Sequence, residues 1–110
     1  MAYQKSPQEQ LLIVRQTSLQ RAIEIYLNQG LKGKTIEQVS ENFVRWVYTN
    51  IGLNVGDAAT EDQVQTMIVE QNVLTRMVEM VVADAIEPEE IFSAAKPLLT
   101  YIYRGNNAKS

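Results

Sequence analysis

The chain has 110 residues, a formal net charge of −3, and neither cysteine nor histidine. That length suffices for one domain with its own core, while the two missing residue types exclude disulfides, thiolate nucleophiles, imidazole-based catalytic triads and the usual zinc ligand sets. Charge is uneven: residues 1–50 carry six basic and four acidic groups, and residues 51–110 four basic and nine acidic, so a mildly basic half precedes an acidic one.

The N-terminus, MAYQKSPQEQ, is polar and lacks the apolar run of a signal peptide. No stretch approaches the roughly 18 apolar residues needed to span a bilayer. A soluble cytoplasmic protein with no membrane partner is expected.

Pro7 to Arg15 reads as a first helix, with Pro7 suited to its first turn; LLIV within it is also compatible with a short strand that has no convincing partner. Thr17-Ser18-Leu19-Gln20 matches a capping box, which predicts that a new helix starts there. An unbroken helix would place Arg15 and Gln16 inside the apolar sector of Leu12, Leu19, Ile23, Tyr26 and Leu27, and a break at Thr17 avoids that conflict. Gly30 then suits a helix end. The following Leu31-Lys32-Gly33-Lys34 lacks the spacing and terminal hydroxyl of a phosphate-binding loop and reads as a helix–helix turn.

Thr35-Ile36-Glu37-Gln38 is a second capping box, opening a helix to about Asn50. Its stripe is Ile36, Val39, Phe43, Val47 and Ile51, with Trp46 at one edge. Trp46 is expected to anchor the core edge or an interface rather than stack on a base, which would call for a denser basic groove. Ile51 to Ala59 is a connector, with a weakly supported strand at Leu53 to Val55.

Thr60-Glu61-Asp62-Gln63 is a third capping box, and a long helix is predicted from there to Ile86. Turned at about 100° per residue, it shows two apolar sectors. One holds Val64, Met67, Ile68, Leu74, Val78, Val81, Val82, Ala85 and Ile86; the other, roughly opposite, holds Val69, Val73, Met77 and Met80. Both faces call for a partner, either a neighbouring helix or a second subunit. Gln71 falls within the first sector and, if buried, requires a polar partner from another helix or subunit.

Pro88 with Glu87, Glu89 and Glu90 marks a change of direction and the start of a last helix. Pro97 is expected to interrupt or kink it before a final apolar turn of Leu98, Leu99, Ile102 and Tyr103. The order of short polar-capped helices loosely resembles small accessory proteins of phages and mobile elements, a likeness that attaches to no named family and carries over no functional residue. The expected fold is all-α: a compact single domain over residues 1–110, with four or five helices, one of them long, open to completion by oligomerisation and fraying at about 1–6 and 105–110.

The acids Asp57, Glu61, Asp62, Asp84, Glu87, Glu89 and Glu90 form no EF-hand pattern, and those around Pro88 suit a helix start. No catalytic, metal or cofactor residues are assigned, and a non-enzymatic protein is expected. Arg15, Arg21, Lys32, Lys34 and Arg45 could contact phosphates, although the loop after Gly30 is long for a helix–turn–helix and the next helix lacks a concentrated recognition face. Two functions compete. The first is a structural or adaptor protein that self-associates as a homodimer or larger assembly through Val69, Val73, Met77 and Met80. The alternative is a small accessory protein that binds DNA or RNA.

Overall fold

Ser6 accepts a hydrogen bond from the Glu9 amide, while the Glu9 carboxylate accepts one from the Ser6 amide. This reciprocal cap opens the first of four helices in the computed structural model, which describes residues 6–104. They are α1 (Pro7–Gln29), α2 (Ile36–Thr49), α3 (Glu61–Val82) and α4 (Ile91–Tyr103), the last entered through a 3-10 turn at Pro88–Glu90. The fold is a compact all-α domain with a radius of gyration of 14.4 Å. Apart from capped Ser6, the fraying expected at the two ends lies outside the described residues.

The capping boxes at Thr35 and Thr60 form as their sequences predict, each hydroxyl bonding the amide three residues on and each glutamine reaching back. The break at Thr17 does not form. Helix α1 runs unbroken for 23 residues, one more than α3. Thr17 is tied sideways: its hydroxyl lies 3.0 Å from the Val14 carbonyl and also against Gln71 Oε1 on α3. Gln71 thus finds its polar partner within the chain.

The conflict that argued for a break disappears because the bulky apolar sector of α1 is not its core face. Gln10, Val14, Ser18, Ala22 and Ile25 face inward, and the small side chains among them let α1 lie against both α2 and α3. Arg15 and Gln16 stay exposed.

Helix α3 stops four residues before the predicted Ile86. The Ala85 amide bonds the Met80 carbonyl at 2.8 Å and the Asp84 amide bonds the Val81 carbonyl at 2.9 Å, with Asp84 at φ 66°. This is the paired C-terminal capping pattern, with aspartate in the left-handed position that glycine usually takes. Among the described residues no strand forms: LLIV is helical, and Leu53 to Val55 belongs to a string of turns. Pro97 does not end α4, which continues through it to Tyr103. The proline removes a donor for the Ser93 carbonyl, and both residues are exposed, so solvent can serve that carbonyl.

The core gathers Val14, Ala22 and Ile25 of α1, Phe43, Val44, Val47 and Tyr48 of α2, the inner side of α3, and Ile91 and Ala95 of α4. Phe92 closes its edge, meeting Phe43 edge-on at 5.7 Å and stacking on Trp46 at 5.4 Å. Trp46 is therefore a partly buried anchor of α2 on α4.

Candidate interaction surface

The four residues assigned to a second face of α3 do not form an open patch. Val73 and Met77 are buried within the single chain, at 5% and 1% exposure, Val69 is half-buried, and Met80 is the exposed member. In projection, the buried side chains of α3 (Met67, Glu70, Val73, Leu74, Met77, Val78 and Val81) fill one arc of about 140°. That arc joins parts of both predicted sectors. Glu70 lies near its middle, and a glutamate at that position makes one buried face read as two.

Helix α1 carries an apolar face without a partner in the chain, and α4 exposes a shorter one at Leu98, Tyr101 and Ile102. Leu12, Leu19, Tyr26 and Leu27 are 60%, 42%, 52% and 76% exposed, and half-buried Ile23 lies among them. Their stripe is centred about 120° around the helix from the buried Val14, Ser18 and Ala22 side. Leu12, Gln16, Leu19, Ile23 and Tyr26 follow one another at alternating steps of four and three residues, the spacing of a coiled-coil seam. At its C-terminal end, Leu27 faces Val82 of α3 across a shallow trough that also includes Arg21, Glu24 and Glu79.

The five basic residues considered for phosphate contact are largely engaged with their own chain. Arg15 pairs with Glu41 at 2.9 Å, linking α1 to α2. Arg21 donates to both carboxylate oxygens of Glu24 and, at 2.7 Å, to the Thr75 hydroxyl, leaving its side chain 15% exposed. Lys32 meets Glu89 at 3.4 Å, and Arg45 donates to Asn42 at 3.3 Å. The structure brings Lys32 and Lys34 together at one recess.

Glu70 escaped the sequence reading. Its side chain is fully buried; one carboxylate oxygen accepts from the Asn50 side-chain amide, and the other has no hydrogen-bond partner among the described residues. Burial raises its pKa to about 7, against a smaller lowering by Asn50. A shallow recess lies beside it, lined by Ile51, Thr66, Leu99 and Tyr103. The signal available in the sequence was a lone acid on the helical phase shared by Met77 and Val81, which periodicity based on apolar residues leaves out.

Among the described residues, no group of three or more acidic side chains is placed to hold a metal ion, and no helix is long and apolar enough to cross a membrane. Comparison of the chain with protein-family models, curated proteins and solved structures finds no match.

Proposed function

We propose that this protein is a non-enzymatic structural or adaptor module that self-associates through the outer face of α1. The observation that carries this reading is the seam of Leu12, Leu19, Ile23 and Tyr26, with three large apolar side chains exposed along one helix. A helix that packs inward through Val14, Ser18, Ala22 and Ile25 and keeps Leu12, Leu19 and Leu27 outside gains most by burying these leucines against a second helix. A second copy of α1 presents the same stripe, so a two-fold axis would make the contact self-complementary. Gln16 within the seam supplies a polar position that can favour one register over its neighbours.

Sedimentation of the full chain across micromolar concentrations tests this reading. A reversible monomer–dimer equilibrium, abolished by Leu19→Glu with helix content unchanged, is the expected result. A carboxylate there stays solvated in the monomer and is desolvated without a partner in the dimer. Nucleic-acid binding has less support, because Arg15, Arg21 and Lys32 already pair with carboxylates of the same chain.

A further inference from the structure

A recess of about 480 Å³ opens between the turn after α1, the side of α2 and the entry to α4. Its size falls within the range of small-molecule sites. The floor is apolar, with Ile25, Val39, Phe43 and Phe92 among its lining residues, and Lys32 and Lys34 both border it. Loop geometry shapes this turn between α1 and α2: Lys32 adopts φ 54° and Gly33 φ 88°, and the Lys34 amide donates to the Leu31 carbonyl at 3.2 Å.

The Lys32–Glu89 pair bridges two walls of the recess at 3.4 Å, with both side chains 62% exposed. A carboxylate of the chain itself therefore occupies the position an anionic ligand would take. Glu89 titrates below the ordinary glutamate range, first through a hydrogen bond from its own backbone amide and then through Lys32 and the charge of Lys34. Among the described residues, no ion pair holds Lys34. Among the lining residues two cations face one acid, so the lining itself carries net positive charge above apolar side chains.

We propose that this recess binds a small amphipathic monoanion, an aliphatic or aromatic carboxylate whose apolar body lies against Phe43 and Phe92 while its headgroup replaces Glu89 at Lys32 and is shared with Lys34. The closure of the recess by three separate chain segments favours a compact ligand over an extended helix. The charge pattern selects an anion. This inference is independent of the α1 seam, which lies on another part of the surface.

The single tryptophan reports on the site, since Trp46 stacks on Phe92 and Phe92 lines the recess. Titrating decanoate below its micellar range should give a saturable change in Trp46 emission, whereas decyltrimethylammonium and acetate should give none. Combined Lys32→Glu and Lys34→Glu should weaken decanoate binding about tenfold or more, as expected for loss of charge-assisted bonds. Glu89→Gln should strengthen it several-fold by removing the internal competitor. The proposal is overturned if calorimetry and emission both show no saturable decanoate binding, or if the decyl cation binds equally well. It is also overturned if decanoate has no effect while Lys32→Glu dissociates an oligomer, an outcome that would assign the recess to a second copy of the chain.

Discussion

The Asn50 side chain, at the C-terminal cap of α2, donates a hydrogen bond to the Glu70 carboxylate at the centre of the buried face of α3. Among the described residues, no cation pairs with this carboxyl. Its pKa of about 7 lies above the ordinary value of 4.5, so the folded state binds more protons than the unfolded state between those two values. The contribution of Glu70 to stability is thus fully present below the unfolded pKa and is lost as pH rises through the folded one. From pH 5.5 to 8.5 this term should cost about 2 kcal/mol.

Glu70→Gln keeps the shape and removes the charge. Urea denaturation should show the variant more stable than the parent at pH 8.5, by about 1–2 kcal/mol, with most of the slope between pH 6 and 8 abolished. An unchanged slope would place the titrating group elsewhere.

Met77 is the most buried of the four residues first associated with an α3 interface. Met77→Ala should therefore cost roughly 2–4 kcal/mol of unfolding free energy through the lost contacts and the cavity left behind. With the fold still populated, its sedimentation should match that of the parent. Dissociation of the assembly without loss of monomer stability would return the interface to α3.

Asp84 holds a left-handed conformation that ends α3. Asp84→Gly removes the β-carbon penalty and should stabilise the fold by about 0.5–1 kcal/mol, net of the greater freedom of the unfolded chain. Thermal unfolding measures this directly, and a lower midpoint would contradict the capping role.

Caps at Thr35 and Thr60 were legible because each closes a loop rich in turn residues. Thr17-Ser18-Leu19-Gln20 carries the same local pattern in mid-helix, and only Gln71, 54 residues away, reveals what Thr17 does instead. The outer stripe of α1 is visible in the sequence as an apolar sector, but nothing local marks it as the outward face. Side-chain bulk cannot announce that Ser18 and Ala22 are the residues that admit neighbouring helices. The α3 face was divided for a related reason: Glu70 interrupts an apolar pattern whose continuity depends on the tertiary partner Asn50. Helix content followed from local chemistry, whereas which face turned inward depended on contacts distant in sequence.

Self-association through α1 is tested most directly by sedimentation equilibrium of the parent chain and Leu19→Glu over the same micromolar range. A dimer or larger assembly for the parent and a folded monomer for the variant are predicted. A parent that remains monomeric throughout, or a variant that associates equally well, would contradict the assignment of the outer α1 face as the interface.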